Sequence, residues 1–443
     1  LISVFHNAAW LLAEKSIRFV LLAFVVGVMA RHLGASSMGT LTYAASLAAW
    51  AAFLVNQGLD QLAVRRILGS PSTQEKQDIV CAVFLLRLLG FFCTATILLI
   101  WSYWFQNKDD TLFYCTFIFG FSYLGMVGDG ADVLFQSQLK NRISALSRLG
   151  GTVIGSAMRL ILVWQSASLV YFALAQLIET FCYAFFQWLA YREFTKNQST
   201  HFSLGRASRQ LKALLVEGWP LLVVSICVLI YSRFDQVFLG LLGAKAELGH
   251  YSLSLKVLDY VNVFTLILLT SSFPLIVAYT KGEWSQSIER ALKSLCLALL
   301  AAVVVSSALW WLAPTVMNLL YGSEFTVQGG ELLSIVIWMF PLTMFGVFRQ
   351  AIYTAQGSLK TAMFAELSSL FMIVGLNCMM VPHYGAKGAA WALILAAVLH
   401  HVLVLLLGGA AGRAPYRIYC SVLVSGVNRI IKSLISRNPK SIG

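Results

Sequence analysis

Stretches of about twenty mostly apolar residues recur along this sequence, each long enough to cross the hydrocarbon core of a bilayer as a helix. The pattern predicts twelve: 8–30, 40–62, 79–104, 111–135, 149–165, 169–190, 214–241, 251–278, 291–320, 331–354, 361–381 and 389–410. The fifth and sixth are separated only by Gln165–Ser168. Composition agrees with lipid as the main solvent. Charged residues make up 12% of the 443, half of the roughly 25% of a soluble domain. The chain therefore reads as an all-α integral membrane protein rather than a soluble domain on an anchor.

The formal net charge of +13 would suggest nucleic acid in a soluble protein. Here its location explains it. One set of alternating connections holds Arg65, Arg66, Lys76, Lys140, Arg142, Arg148, the run from Arg192 to Lys212, Lys281, Arg290, Lys293 and Lys360. The tail adds Arg413, Arg417, Arg429, Lys432, Arg437 and Lys440, whereas the opposite set holds only Arg31, Lys108, Lys245 and Lys387. This bias predicts a cytoplasmic location for both termini and an even number of spans. It leaves no need for a nucleic-acid partner.

The longest connection, 191–213, is polar and basic and lies near the middle. It divides the chain into an N-terminal six-helix bundle (1–190), a cytoplasmic linker (191–213) and a C-terminal six-helix bundle (214–411). A basic tail (412–443) follows, whose 415–437 stretch has the spacing of an amphipathic helix on the membrane surface. The halves look like distant copies. "FQSQLKN" (Phe135–Asn141) resembles "AQGSLKT" (Ala355–Thr361), and "LGASSMG" (Leu33–Gly39) resembles "LGAKAELG" (Leu242–Gly249). Parallel repeats of this kind are a transporter plan, with the substrate site between the halves.

Several spans carry charges, each costing about 2.5–3.5 kcal/mol at a helix centre on insertion scales. Asp60, Glu331, Arg349 and Lys256 fall near span ends, where long side chains snorkel. Asn7, Glu14 and Arg18 share one face of the first span, and Ser252, Lys256 and Asp259 share one face of the eighth. Arg233 and Asp235, in "VLIYSRFDQVFLGLLG", are two apart and point in different directions, so each needs a partner elsewhere. For any single arginine the plain reading is a structural pair with an acid on a neighbouring helix. Four deep arginines, Arg18, Arg87, Arg159 and Arg233, exceed what packing requires. With Lys15 they are the candidate lining of a cationic cavity, and guanidinium favours phosphate or pyrophosphate through its planar fork. Asp235, Lys256, Asp259 and Glu14 are the candidates for coupling or gating.

Other chemistry has no sequence support. No G-x-x-x-x-G-K-[ST], H-E-x-x-H or Cys/His cluster occurs, and the eight cysteines are scattered without a C-x-x-C. No metal site and no cofactor are expected, and no catalytic residues. No cleavable signal peptide is evident. The adjacent His400 and His401 do not share a helix face and read as core or lipid-edge residues. Gly151-x-x-x-Gly155 reads as a helix contact, and Pro274 and Pro341 as bends.

"YSRFDQVFLGLLGAKAELGHYSLSLKVLD" resembles the seventh-to-eighth helix signature of the Wzx-type polysaccharide flippases. That family lies within the multidrug/oligosaccharidyl-lipid/polysaccharide (MOP) exporter superfamily. "NAAWLLAEKSIRFVLLAFVVGVMARHLGASSMG" is similar to the family's opening, and "VPHYGAKGAAWA" to the turn before its last helix. The resemblance implies a MOP/MATE-like fold of two pseudo-symmetric six-helix bundles in the bacterial inner membrane. It implies flipping of undecaprenyl-pyrophosphate-linked oligosaccharide repeat units between leaflets for O-antigen or capsule assembly. It further implies coupling to an H⁺ or Na⁺ gradient, with membrane lipids and other polysaccharide assembly proteins as partners. Arg233 and Asp235 match the family's Arg-x-Asp motif; Arg18, Arg87 and Arg159 fit its cationic cavity by type and depth. The alternatives are a multidrug or lipid-linked peptidoglycan precursor exporter of the same superfamily. An integral membrane polymerase or ligase is disfavoured by the short outward connections, such as "FQNKDD" and "YGSEFTVQGG".

Overall fold

A computed structural model of the chain describes residues 2–52, 55, 59–105, 110–196, 203–280, 286–356, 359–407, 409, 413 and 416. The described residues form fourteen α-helices and two 3₁₀ turns. They are α1 (Ile2–Ala51), α2 (Asp60–Gly69), α3 (Thr73–Phe105), α4 (Asp110–Met126), α5 (Asp132–Ser137), α6 (Asn141–Trp164) and α7 (Leu169–Thr195). There follow α8 (Leu204–Tyr231), α9 (Phe234–Leu241), α10 (Lys245–Thr280), α11 (Gln286–Tyr321), α12 (Gln328–Val336), α13 (Met339–Ala355) and α14 (Leu359–Leu407). The 3₁₀ turns are Val127–Ala131 and Ser323–Phe325. The amphipathic stretch expected at 415–437 lies outside the described residues, apart from Tyr416.

Among the described residues nine segments are long and apolar enough to cross a membrane, so this is a multi-pass membrane protein. Two of the nine, Glu14–Ala51 and Met363–Leu407, bend sharply at a glycine with positive φ, Gly34 (74°) and Gly385 (55°). Dividing those two at their glycines and adding α10, a helix of 36 residues, gives the twelve apolar segments of the sequence pattern.

Three spans are interrupted. The fourth contains the 3₁₀ turn Val127–Ala131, which carries Asp129 between Gly128 and Gly130. The seventh breaks between Tyr231 and Phe234, where Arg233 takes φ −131°, ψ 0°. The tenth breaks at Ile337–Trp338, and Pro341 then occupies the first turn of α13, where its missing N–H costs nothing. Irregular backbone survives at membrane depth only where protein or water satisfies it. Two of these three breaks coincide with charged residues.

The helices group into two compact units. The first comprises Leu1–Ser252 with Met317–Thr326, the second Leu253–Val316 with Val327–Gly443. In the first, α1, α4, α6 and α7 pack together, with α3 against α4 and α8. The glycines of α6 are close contacts, as the sequence predicts. A Cβ on Gly151 would collide with the Glu179 carbonyl, and one on Gly155 with the Glu179 side chain, both on α7. The segment Met317–Thr326 joins this unit through Gly27, whose Cβ would meet the Leu320 carbonyl. Glu324 also accepts the Ala35 N–H at 2.8 Å, capping the helix that restarts after Gly34. In the second unit, α13 and α12 pack on α14, and Leu258, Ala302, Phe340, Met344 and Phe348 form a buried apolar core.

The Leu-Gly-Ala repeat has a structural counterpart. Gly34 and Gly243, its two glycines, have φ 74° and 76°. The helices that follow cross within the first unit in a reciprocal way. A Cβ on Gly39 would strike the Lys245 carbonyl, and one on Gly249 the Ala35 carbonyl. Thr42 Oγ1 donates to Ser252 Oγ at 3.1 Å, a pair 210 positions apart, the same spacing as Ala35 to Lys245 and Gly39 to Gly249. Contacts that exchange partners at a constant offset are those of a local two-fold axis. Alanine at Gly34 or Gly243 should cost about 1–2 kcal/mol through the left-handed backbone. Leucine at Gly39 should prevent the crossing. Thermal unfolding in detergent should show all three variants destabilised, with Gly205→Ala unchanged because its Cβ meets nothing within 4 Å.

Candidate functional site

Three groups of ionisable side chains in the first unit contain the residues singled out from its sequence. The largest is a chain of alternating sign from α2, α3, the 3₁₀ turn, α5 and α6. Arg87 donates from Nη2 to both Asp60 oxygens at 2.8 Å and from Nη1 to the Met126 carbonyl at 2.9 Å. Asp129 lies 3.7 Å from Arg87 and 3.5 Å from Arg148, and Arg148 donates to Asp132 at 2.8 Å. Gln136 adds a 2.8 Å bond to Asp132. The 3₁₀ turn at Val127–Ala131 presents Asp129 between the two arginines. On α1, Glu14 and Arg18 pair at 3.5 Å, one helical turn apart, and Lys15 and Glu14 interact electrostatically with Arg148. Four cations thus face four carboxylates.

The second group joins α6 to α7. Arg159, 6% exposed, contacts Glu179 at 2.7 Å and donates to Gln176 at 2.7 Å, while Thr152 donates to Glu179 at 3.1 Å. The bare backbone of Gly155 makes room for the Glu179 carboxylate. The third group surrounds the break between α8 and α9. Asp235, 4% exposed, accepts from the Tyr251 hydroxyl at 2.5 Å and from the Gln236 N–H at 2.7 Å. Arg233 reaches Gln236 Oε1 at 3.2 Å, and Ser46 of α1 donates to the same oxygen at 2.8 Å. Arg233 and Asp235 do not pair with each other, as their spacing requires; both engage Gln236, through its side-chain oxygen and its N–H, and only Asp235 also reaches another helix, at Tyr251. Beside them Leu47, Trp50, Trp101, Val237 and Leu241 line an apolar pocket of about 210 Å³.

The predicted cations differ in availability. Arg87 and Arg159 are buried and held by carboxylates, so the plain structural reading describes what they do in this structure. Arg18 is paired yet has a side chain 43% exposed, Lys15 is exposed, and Arg233 is half-buried with an amide partner. In the second unit Lys256 and Asp259 approach within 3.9 Å, both side chains exposed.

Two expectations need correction. Arg349 does not snorkel: it is 4% exposed and donates to His401 Nδ1 at 2.8 Å and His400 Nε2 at 2.6 Å. His400 and His401 are likewise more than core fillers, since both close on that guanidinium despite pointing from different sides of α14. Asp60, also expected to snorkel, is the bidentate partner of Arg87. No local signal marks these partnerships, because the partners lie on different helices and 27 or more positions apart.

A family model described as polysaccharide biosynthesis protein matches residues 4–280, most of the chain and all of the first unit but its first three residues and the segment Met317–Thr326. The chain belongs to the polysaccharide biosynthesis protein family. A second model, MatE, matches residues 220–379 of this family member. No curated protein matches its sequence. Among solved structures, the chain is similar to the inward-facing form of a multidrug resistance MATE family transporter of the MOP superfamily. The TM-score is 0.72 at 17% identity, over 90% of this chain and 96% of that one. It is also similar to the lipid II flippase MurJ in an inward closed conformation, with TM-score 0.68 at 14% identity over 97% and 93%. A MATE protein in complex with MaL6 follows at 0.59 and 17% over 94% and 97%. These likenesses show the fold, which is all-α and MOP/MATE-like.

Removing one partner of a buried ion pair typically costs about 3–5 kcal/mol. Arg159→Ala should lower stability by that amount, and the double variant Arg159→Gln/Glu179→Gln should recover most of it. Unfolding of the purified protein in detergent measures both; equal destabilisation by the single and double variants would rule out the pairing.

Proposed function

We propose that this chain is a flippase for undecaprenyl-pyrophosphate-linked oligosaccharide repeat units. It moves them from the inner to the outer leaflet of the bacterial inner membrane by alternating access, for O-antigen or capsule assembly. The match of residues 4–280 to the polysaccharide biosynthesis family carries this reading. That stretch holds every arginine of the three ionic groups. Lys15, Arg18 and Arg233 keep donor atoms within reach of a ligand and are the contacts for a diphosphate. Arg87 and Arg159 act one step back. By neutralising Asp60, Asp129 and Glu179 they remove acids that would repel the anion.

Flipping a charged head group needs an energy source, and an H⁺ or Na⁺ gradient supplies it, with no other cofactor. Asp235, Glu14, Lys256 and Asp259 are the coupling or gating groups. A site contributes to coupling when its ligand binds two conformations unequally. Asp235 is suited to this, since its carboxylate depends on two donors from two helices. Both termini face the cytoplasm in this reading, and other polysaccharide assembly proteins receive the product.

The likeness to a lipid II flippase favours a second reading, export of a lipid-linked peptidoglycan precursor. A polymerase or ligase acting on the same lipid-linked units is the enzymatic rival. In a deletion strain, lipid-linked units accumulating on the inner leaflet support a flippase; unpolymerised units outside support the enzyme. Complementation of strains lacking flippases of defined sugar specificity identifies the repeat unit. Arg233→Ala should abolish surface polymer while the protein still inserts, and Arg233→Lys should restore it only in part, lacking the planar fork. Normal polymer from Arg233→Ala would exclude this residue from the head-group site. Arg159→Ala is the weaker probe, because it also unpairs Glu179.

A further inference from the structure

The second unit contains a buried arginine whose partners are not acids. Among the described residues no carboxylate lies within ion-pair distance of Arg349, and its Nε has no acceptor. Its Nη1 and Nη2 meet His401 Nδ1 and His400 Nε2 at 2.8 and 2.6 Å. A guanidinium can only donate, which settles the state of both rings. Each nitrogen facing Arg349 bears a lone pair, so each ring's proton is on its other nitrogen. For His400 that nitrogen is provided for: Nδ1–H donates to Ser368 Oγ at 2.9 Å, and the Ser368 hydroxyl passes its own hydrogen to the Ala365 carbonyl at 2.8 Å. His401 interacts with the Leu342 backbone. Both imidazoles are neutral, in opposite tautomers, and the pocket carries one positive charge.

Among the described residues the surroundings contribute no second charge. From α13, Tyr353 presents its ring 5.9 Å from the guanidinium, and Phe345 packs edge-on against His401. Tyr416, beyond α14, bonds Arg349 and donates to the His401 carbonyl at 2.7 Å. On α12 the acid, Glu331, is held by Lys387 at 2.7 Å, and on α10 Lys256 and Asp259 face each other. Glu366 stands on the opposite side of α14 from Ser368.

We propose that Arg349, His400 and His401 form a proton-binding site that holds one positive charge at a time, delivered either by the guanidinium or by a proton. A proton added to His400 Nε2 or His401 Nδ1 turns an acceptor into a donor. It also sets imidazolium against guanidinium at less than 3 Å in a region of low dielectric, where like charges repel strongly. Proton uptake therefore unseats Arg349, and return of the arginine expels the proton. No bond other than N–H is made or broken, and the balance is one proton taken up for one guanidinium released. This assigns H⁺ as a coupling ion and rests on the transport reading above only for the word coupling.

Infrared difference spectroscopy of the full chain in nanodiscs, titrated from about pH 8 down to about pH 3, well below where a free imidazole changes charge because the guanidinium opposes the added proton, tests the exchange. The expected result is an imidazolium band and a shift of the guanidinium band with a single shared midpoint. The double variant His400→Gln/His401→Gln keeps carbonyl acceptors for Arg349 and should lose the guanidinium shift together with the part of the imidazolium band that shares its midpoint, leaving the signal of the other five histidines. Arg349→Gln should keep the imidazolium band and move its midpoint to higher pH, since the opposing charge is gone. Each variant is first shown to fold by its helical circular dichroism and monodisperse elution. A guanidinium band that stays fixed while the imidazoles titrate, or a double variant that retains the guanidinium shift, would overturn the proposal. The titration uses no saccharide, so failure to complement a flippase-deficient strain would sink the transport reading and leave this result standing.

Discussion

A charge inside a bilayer must find its counter-charge or a hydrogen-bonding partner within the protein, because lipid provides neither. That requirement organises the first unit. The chain Asp60–Arg87–Asp129–Arg148–Asp132 draws on α2, α3, α5, α6 and the 3₁₀ turn after α4, so five pieces of backbone share one electrostatic solution. Dispersion alone would let those helices slide against one another, since lipid tails are as apolar as the helix faces. Ion pairs with fixed geometry select a single arrangement. Buried pairs seldom add much net stability over apolar packing, and breaking one is expensive. Their contribution here is accordingly to specificity of packing.

Close approach is the second device. Gly39 and Gly249 let two helix backbones touch at each other's carbonyls, and on α6 Gly151 admits the Glu179 carbonyl and Gly155 the Glu179 side chain of α7, beside the Arg159–Glu179 pair. The reciprocal crossing at Ala35–Gly39 and Lys245–Gly249 explains why a short motif survives in both halves of a sequence that has otherwise diverged. Each copy supplies the glycine that the other's carbonyl needs. A change on one side alone would leave its partner without a seat, so the pair is held by mutual packing.

The fold was legible because its signal is long-range and redundant: twenty apolar residues announce a span wherever they occur. What the pattern missed are the interruptions at Val127–Ala131 and Tyr231–Phe234; the break before Pro341 falls where the proline predicts a bend. Nothing at Ser232–Arg233 resembles a helix breaker, and the break there reflects tertiary bonding, with Gln236 and Asp235 satisfied by Ser46, Arg233 and Tyr251. The candidate site was legible by residue type only. Periodicity shows which charges share a face of one helix, and it correctly paired Glu14 with Arg18 and separated Arg233 from Asp235. It carries no information on which helix lies opposite. Arg87 with Asp60, Arg159 with Glu179, and Arg349 with two histidines all depend on that missing contact.

The two units therefore treat a buried guanidinium in chemically different ways. Carboxylates hold Arg87 and Arg159 with full opposite charge, and such a pair is indifferent to a proton until the acid itself is neutralised. Imidazoles hold Arg349 with lone pairs alone, and a single proton converts the attraction into repulsion. The first arrangement suits a scaffold that must keep its geometry. The second stores a conformational choice in a group whose affinity for protons is set by where the arginine sits. A transporter needs both properties, and this chain places them on different helices.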